Sequence, residues 1–350
     1  MSDRNDEVLL RVENLCQYFK MGHSENKAVN NVSFDIKKGE VFGLVGESGC
    51  GKTTTGRSII GLYQITDGDV FFRGKRIGMG AEAMKRWKKK YAEAKAAGDT
   101  KAMEELKKDK VIHTDLMTKI QMIFQDPVGS LDPRMTVREI IAEGLKIRGI
   151  RDKKFIEDRV AEMLEKVGLV PEHAERYPHE FSGGQRQRIG IARAIILQPD
   201  LIIADEPISA LDVSIQAQVI NLMNDLRDEM GLTIMFIAHD LSVVKYFSDR
   251  IGVMYYGKMV ELADSDELFA HPLHPYTRSL LSAIPLPDPN YEKRRKRITY
   301  VPSLTHDYSE EGPDFKEILP GHFVLCNTAE FEKYRAEIAE MDANARRKQQ

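Results

Sequence analysis

The chain has 350 residues, of which 51 are Lys or Arg and 54 are Asp or Glu, and its formal net charge is −3. This length predicts one large domain with an appendage, and the near-balance of charge excludes a general attraction to nucleic acid or anionic lipid. No apolar run approaches the roughly 18 residues that a membrane-spanning helix requires, and the charged segment from Ser2 to Glu7 is not expected to be a signal peptide. The few scattered cysteines are typical of a reducing cytoplasm.

A glycine-rich loop follows an apolar run of strand length, Val41 to Val45, and precedes a predicted helix. Glycines let backbone N–H groups wrap around phosphates, and a helix N-terminus favours an anion. Lys52 can reach the β- and γ-phosphates of a nucleotide, and the Thr53 hydroxyl can bind Mg²⁺. The residues expected to hold ATP are Gly46, Ser48, Gly49, Cys50, Gly51, Lys52, Thr53 and Thr54.

Residues from about 79 to 118 differ in composition from their surroundings. This segment is rich in Ala, Lys and Glu, which favour helix, and Gly98-Asp99 predicts a helical hairpin. Two interpretations are open. The segment is either a basic projection whose Trp87 and Tyr91 contact lipid headgroups, nucleic acid or a protein partner, or a solvated insertion whose few apolar residues pack against the core.

Three further apolar strands end in polar side chains, which are Gln125, the Asp205-Glu206 pair and His239. The strands alternate with predicted helices, which indicates a mostly parallel α/β core. At the carboxyl ends of such strands, side chains face the ligand crevice. Asp205 is suited to contact Mg²⁺ through water, and Glu206 can polarise the water that attacks the γ-phosphate.

Two other segments carry weaker signals. Phe181-Ser182-Gly183-Gly184-Gln185 precedes a predicted helix, so it forms a helix N-terminus that suits an anion, although alone it would be an ordinary helix cap. The run from His271 to Thr277 reads His-Pro-Leu-His-Pro-Tyr-Thr. Its histidines suggest a metal site, but the commoner interpretation is a proline-locked linker that docks on the core.

From Leu9 to about Pro285 the chain resembles an ATP-binding cassette (ABC) ATPase subunit. The glycine-rich loop, Gln125, the Phe181–Gln185 segment, the carboxylate pair, Ser209-Ala210-Leu211-Asp212 and His239 occur in the family's order. The resemblance implies a P-loop NTPase fold and two protomers that close head to tail over ATP. In that arrangement, the Phe181–Gln185 segment of one protomer, which matches the signature segment of the family, caps the ATP that the other protomer holds. Ser182, Gly183 and Gly184 would bind the γ-phosphate in trans, and Gln185 of the same segment is also expected to bind the nucleotide.

The resemblance also implies roles for single residues. His239 would contact the γ-phosphate, Gln125 would sense Mg²⁺ and the attacking water, and Asp212 would lie where the protomers touch. Phe19 is expected to stack on the adenine ring, with Tyr18 as the alternative. The catalytic residues would be Gln125, Glu206 and His239, and the metal-binding residues Thr53, Gln125 and Asp205.

The domain organisation follows from the same resemblance. An ABC ATPase domain over residues 8–265 would contain an antiparallel β subdomain from residues 9–40 and 70–77, the helical insertion 79–118 and a helical signature subdomain over about 137–194. Residues 266–350 would form a C-terminal extension and tail. Some relatives hold an iron–sulfur cluster there, but only Cys326 is available and a cluster needs about four ligands, so none is predicted. The alternating charges of Glu330 to Arg347 predict an exposed terminal helix.

Several segments resemble the oligopeptide and dipeptide importer branch of the family: Phe124–Pro127, Ser130–Arg134, Ala210–Gln218 and His271–Thr277. The resemblance implies a peripheral subunit at the cytoplasmic face of the membrane whose ATP hydrolysis powers peptide import. Its partners would be two integral membrane permease subunits, a paralogous ABC ATPase or a second copy of this chain, and indirectly an extracellular peptide-binding protein, with no nucleic acid. One alternative is a soluble ABC ATPase in translation or DNA repair, which the single cassette and the His-Pro-Tyr segment disfavour. Another is an importer of nickel or another small solute.

Overall fold

The computed structural model describes residues 7–110, 112–284 and 297–348. By its contacts the chain divides into two compact units, Met1–Val41 with Thr53–Ile237, and Phe42–Lys52 with Ala238–Gln350. Pro285, where the family resemblance was expected to end, lies outside the described residues, as do residues 286–296, 349 and 350 of the expected C-terminal extension. Within the described part of the chain, no helix is both long and apolar enough to span a membrane.

The first unit contains an antiparallel sheet with the strand order β2-β1-β4-β5. Its strands are β1 Val8–Met21, β2 Ser24–Lys37, β4 Asp67–Phe72 and β5 Lys75–Met79. Buried and more exposed residues alternate along β4, as expected for a sheet that packs on one face only. This sheet is the expected antiparallel β subdomain.

Three parallel strands of the first unit run in the order β8-β7-β6. They are β6 Ile120–Ile123, β7 Leu201–Asp205 and β8 Thr233–Ala238. Every residue of β7 and β8 is buried, because helices cover both faces of a parallel sheet. The helices of this unit outside the insertion are α1 Lys52–Ile59, α4 Val137–Ile147, α5 Lys153–Lys166, α6 Gly183–Ile195 and α7 Val213–Met230. The α/β fold class predicted from the sequence is confirmed.

The insertion is a helical hairpin of α2 Ala81–Ala96 and α3 Thr100–Lys110. The Trp87 indole N–H donates to the Leu106 carbonyl oxygen over 2.9 Å, and the Trp87 ring stacks on Tyr91 with centroids 5.2 Å apart. The Lys110 ammonium lies 4.9 Å from the centre of the Trp87 ring. Both aromatic side chains are therefore half-buried and engaged within the hairpin.

The second unit contains the strand order β3-β9-β10-β12-β11, in which only the β3–β9 pair is parallel. These strands are β3 Val41–Val45, β9 Arg250–Tyr255, β10 Lys258–Asp264, β11 Asp314–Leu319 and β12 His322–Cys326. Among its described residues the helices are α8 Leu241–Phe247, α9 Ser265–Ala270, α10 Pro275–Ala283, α11 Pro302–Thr305 and α12 Thr328–Lys348.

The terminal helix α12 is not simply exposed, so that prediction is wrong for one face. Tyr334 and Ile338 are 3% and 5% exposed. They pack in an apolar cluster with Leu273, Ile318, Val324 and Cys326. The alternating charges concealed two apolar positions four residues apart, which lie on the same side of a helix. Leu273 belongs to the run from His271 to Thr277, so this run docks on the core of the second unit.

Candidate active site

The glycine-rich loop joins β3 to α1, and its shape requires glycine at particular positions. A Cβ atom at Gly46 would lie 2.2 Å from the Met254 carbonyl oxygen, and Gly51 has a φ of 107°, which residues with side chains rarely adopt. The Cys50 carbonyl accepts a hydrogen bond from the Gly257 N–H over 2.9 Å. Burial raises the pKa of the Cys50 thiol above its ordinary value, so the loop presents no thiolate to repel a phosphate.

Lys52 lies inside this loop. Its Nζ donates to the carbonyl oxygens of Gly46 and Glu47 over 2.7 and 3.0 Å, and the residue is only 4% exposed. A cation held by neutral carbonyls can exchange them for phosphate oxygens, which form stronger, charge-assisted hydrogen bonds. Of the other predicted loop residues, Ser48 and Gly49 are exposed and Gly51 is buried.

In the first unit, Thr53 and Asp205 are in direct contact. The Thr53 hydroxyl donates to Oδ1 of Asp205 over 2.7 Å, and the Asp205 side chain is completely buried at the end of β7. The Arg57 guanidinium lies 3.6 Å from Oδ2 of Asp205. Arg57 was missed from the sequence, although its position four residues after Thr53 on α1 places both side chains on one side of the helix. Thr54 is half-buried on the same helix.

Glu206 follows β7 directly and is brought to Gln125. The Gln125 side-chain amide donates to Oε2 of Glu206 over 3.2 Å. Glu206 has a φ of 45°, an unfavourable backbone conformation for a residue with a Cβ atom. The backbone around it is tied down, because its N–H donates to the Ile237 carbonyl and its own carbonyl accepts from the Ser209 hydroxyl. The half-buried carboxylate is thus positioned by its backbone and by the Gln125 amide, among its contacts.

His239 follows the end of β8 and is exposed. The next residue, Asp240, is the N-cap of α8, and its side chain accepts a hydrogen bond from the Ser242 N–H over 2.8 Å. His239 and the glycine-rich loop up to Lys52 belong to the second unit, whereas Gln125 and the carboxylate pair belong to the first.

The predicted signature segment begins α6. Ser182 and Gln185 form a reciprocal cap, in which the Ser182 hydroxyl accepts from the Gln185 N–H and the Gln185 side chain accepts from the Ser182 N–H. A Cβ atom at Gly184 would lie 2.6 Å from Cγ2 of Ile215, so glycine is needed there for the approach of α7. Asp212 is the exposed N-cap residue of α7.

The two aromatic candidates for the adenine ring have different surroundings on β1. The Tyr18 hydroxyl donates to Oδ1 of Asn30 over 2.7 Å, and its ring faces the Lys27 ammonium at 5.3 Å. The half-buried Phe19 ring makes an edge-to-face contact with Tyr63, with centroids 5.3 Å apart. Tyr18 is therefore engaged in polar contacts within the sheet, whereas Phe19 offers an apolar face.

Comparison with known proteins identifies the family to which this fold belongs. The profile of the ABC transporter family matches residues 29–209, and that of the oligopeptide/dipeptide transporter C-terminal region matches residues 260–317. The chain belongs to the ABC transporter family. The family resemblance of the sequence is therefore confirmed, and the chain carries the nucleotide-binding domain of that family.

Among individual relatives, the oligopeptide transport ATP-binding protein OppF of Bacillus subtilis is 57% identical over 329 residues, covering 94% of this chain and 99% of the relative. OppF of Streptococcus mutans is 51% identical, with 95% and 98% of the two chains covered. The dipeptide transport ATP-binding protein DppF of Lactococcus lactis is 50% identical, with 93% and 96% covered. A solved dimer of an ATP-binding cassette with ADP and phosphate bound is similar with a TM-score of 0.58 and 27% identity, covering 73% of this chain and 99% of that chain.

Proposed function

We propose that this chain is the ATP-hydrolysing subunit that powers the import of oligopeptides or dipeptides through a membrane permease. One observation carries the proposal: contacts suited to ATP hydrolysis, Thr53–Asp205 and Gln125–Glu206, precede in the same chain a region that matches peptide transporters. We retain as part of it the division into an ABC ATPase domain over residues 8–265 and an extension from residue 266.

In this proposal the glycine-rich loop holds the phosphates of ATP, and Lys52 transfers its hydrogen bonds from loop carbonyls to phosphate oxygens. Phe19 stacks on the adenine ring, because its ring is apolar and its aromatic contact with Tyr63 is edge-to-face. The proposed ATP-binding residues of this chain are Phe19, Gly46, Ser48, Gly49, Cys50, Gly51, Lys52, Thr53 and Thr54.

The oxygen atoms of Thr53, Asp205 and Gln125 are of the hard type that Mg²⁺ prefers. The Thr53 hydroxyl and Asp205 carboxylate already lie 2.7 Å apart, so the residues fit this ion. When bound, Mg²⁺ would neutralise charge on the phosphates during their transfer.

Glu206 is the proposed base that polarises the attacking water. Gln125 orients the carboxylate and contacts the water, because its amide is already a partner of Glu206 over 3.2 Å. His239 is proposed to donate to the γ-phosphate; it is exposed at the end of β8.

A second protomer is proposed to complete the site. Ser182, Gly183, Gly184 and Gln185 begin α6, and a helix N-terminus stabilises an anion from outside the protomer. Asp212 is exposed, and the next residue, Val213, is an apolar side chain that is 81% exposed. These features support a contact between protomers at the start of α7. The partner is either a paralogous ABC ATPase, which we favour, or a second copy of this chain.

A groove of about 310 Å³ in the first unit supports docking on a membrane subunit. Leu62 and Ile147, which are 56% and 80% exposed, line it together with Phe124, the residue before Gln125. Exposed apolar side chains around a groove are typical of a protein interface. We propose that a helix of one of two integral membrane permease subunits binds here at the cytoplasmic face, and that an extracellular peptide-binding protein supplies cargo indirectly.

The proposal is tested by purifying the tagged Glu206→Gln chain from its native membrane with ATP, using Lys52→Ala as the control. We expect to recover two permease subunits and a paralogous ATPase. We also expect vesicles reconstituted with the wild-type complex to take up peptide when ATP is supplied. Recovery of ribosomes or DNA-repair proteins without membrane subunits would refute the transport role. Uptake of nickel but not of peptide would refute peptides as the cargo.

A further inference from the structure

Tyr276 of the C-terminal extension reaches the glycine-rich loop. It is the second residue of α10 and is only 1% exposed. Its hydroxyl accepts a hydrogen bond from the Glu47 backbone N–H over 3.0 Å. The contact lies within the second unit and joins residues 229 positions apart.

The Glu47 peptide is therefore held from two sides. Tyr276 fixes its N–H, and its carbonyl accepts one of the hydrogen bonds of Lys52 over 3.0 Å. Tyr276 is thus connected, through the Glu47 peptide, to the Lys52 side chain that we propose to bind phosphate. Glu47 itself is an exposed residue.

Tyr276 is rigidly supported by the segment that precedes it. Its own N–H donates to Nδ1 of His274 over 3.1 Å. The N–H groups of Leu273 and His274 in turn donate to the fully buried carboxylate of Glu261 on β10, over 2.8 and 3.0 Å. Charge-assisted hydrogen bonds of this kind fix the start of α10 firmly.

Aromatic rings enclose Tyr276. Tyr255, at the end of β9, lies 4.4 Å away between centroids, and Tyr300 lies 5.6 Å away. Burial raises the pKa of the Tyr276 hydroxyl, so this group stays protonated at neutral pH. β9, which carries Tyr255, is also the parallel neighbour of β3, the strand that leads into the loop. The loop and Tyr276 are therefore both supported by β9.

We propose that Tyr276 is a positioning residue for ATP binding, through which the C-terminal extension holds the glycine-rich loop in its phosphate-binding form. This inference rests on the proposed function. The hydrogen bond restricts the Glu47 peptide before ATP arrives, so less conformational entropy is lost on binding. Tyr276 touches neither ATP nor the reacting atoms and acts through Glu47 and Lys52.

The test separates the hydroxyl from the ring. Tyr276→Phe keeps the ring and removes the hydroxyl that accepts from the Glu47 N–H. Tyr300→Phe removes the hydroxyl of a neighbouring ring, whose aromatic contacts are with Tyr255, His274, Tyr276 and His306. Both are made in the full chain carrying Glu206→Gln, and the Kd for Mg-ATP is measured by fluorescence with an N-methylanthraniloyl nucleotide. We expect Tyr276→Phe to weaken binding about threefold to tenfold, the usual weight of one hydrogen bond, and Tyr300→Phe to stay within about twofold of the parent.

In the assembled transporter with Glu206 intact, Tyr276→Phe should raise the KM for ATP by a similar factor and leave kcat within about twofold. A residue that merely packs would lower the unfolding temperature without this separation of KM from kcat. Equal Kd values for the two Tyr variants would overturn the proposal. If the parent chain does not bind Mg-ATP, the proposed function itself fails, which is a distinguishable result.

If Tyr276→Phe does not fold, hydrogen exchange in the wild-type chain decides the question. The Glu47 amide, followed by NMR of a deuterated sample, should exchange at least tenfold more slowly than an unprotected amide, because its N–H is bonded. Exchange at the unprotected rate would overturn the proposal.

Discussion

Glu206 combines a carboxylate with a backbone conformation that favours glycine. Its backbone donates to the Ile237 carbonyl and accepts from the Ser209 hydroxyl, and these two hydrogen bonds stabilise the unfavourable φ of 45°. The side chain then meets Gln125. At this scale the site depends on a few hydrogen bonds, and single substitutions should separate binding from hydrolysis.

We predict that Glu206→Gln abolishes hydrolysis but keeps ATP binding. The amide has the shape of the carboxylate but cannot act as a base, and general-base catalysis contributes about 100-fold to 10,000-fold to a rate. Phosphate release by the assembled transporter should fall at least 100-fold, while the Kd for Mg-ATP changes less than about threefold. A variant that retains more than a tenth of the rate would exclude Glu206 as the base.

The buried pair of Glu261 and His322 predicts a pH dependence of stability. Their atoms Oε1 and Nε2 lie 2.9 Å apart, and His322 is 1% exposed. Burial disfavours the charged imidazole, but hydrogen bonds and negative charge from Glu261 and Glu267 outweigh this and raise the His322 pKa. A raised pKa stabilises the folded chain fully below the unfolded value of about 6.5, and this contribution is lost as the pH rises through the folded pKa.

We therefore expect His322→Ala to lower the free energy of unfolding by about 3 kcal/mol at pH 6, the usual loss when one partner of a buried pair is removed. The difference from the wild type should shrink steadily between pH 6 and pH 9 in urea titrations. A difference that is constant over this range would contradict a charged His322.

The helices α6 and α7 approach closely where the signature segment begins. Gly184 allows this approach, since a Cβ atom there would lie 2.6 Å from Ile215, whereas one at Gly183 would lie at an ordinary 3.7 Å from Leu211. Gly184→Ala should lower the free energy of unfolding by about 1–3 kcal/mol, as overpacking usually does. The matched control Gly183→Ala should have a smaller effect in the same urea titration. Equal effects would show that the close approach of α7 to Gly184 does not restrict the side chain at that position.

The terminal helix α12 should contribute to stability through its buried side. Ile338→Ala removes a side chain that is 5% exposed and should cost about 2–4 kcal/mol. The control Lys333→Ala alters a side chain that is 69% exposed and should stay within about 0.5 kcal/mol of the wild type. Unfolding of α12 without loss of global stability would contradict this assignment.

Which of these features could be predicted from the sequence depends on how local their signals are. Thr53, Asp205 and Glu206 stand directly beside apolar strands or the glycine-rich loop, so a short window identifies them. The buried side of α12 was missed because charged residues surround its two apolar positions. The contact of Tyr276 with Glu47 has no local signal, because it depends on how β9, β10 and α10 fold against the loop.

At the scale of the whole molecule, the proposed arrangement places the signature segment of this chain on the ATP of its partner. In the assembled transporter, Ser182→Arg should lower ATP hydrolysis at least tenfold, because a bulky side chain blocks the approach of the γ-phosphate to α6. Photolabelling of this chain by an azido-ATP should not fall, since its own Lys52 is intact. Loss of labelling on this chain instead would indicate that Ser182 acts within the protomer.

The pairing of β3 with β9, and of Glu47 with Tyr276, also has a consequence for biosynthesis. A ribosome adds roughly 5–20 residues per second, so the 229 positions between Glu47 and Tyr276 take roughly 10–50 seconds to translate. For most of that interval the nascent loop lacks β9, and throughout it the loop lacks Tyr276. Under our proposal, full affinity for ATP is therefore acquired late in translation. A transcript truncated before α10 would yield a chain that has every loop residue but lacks the hydrogen bond from Glu47 to Tyr276.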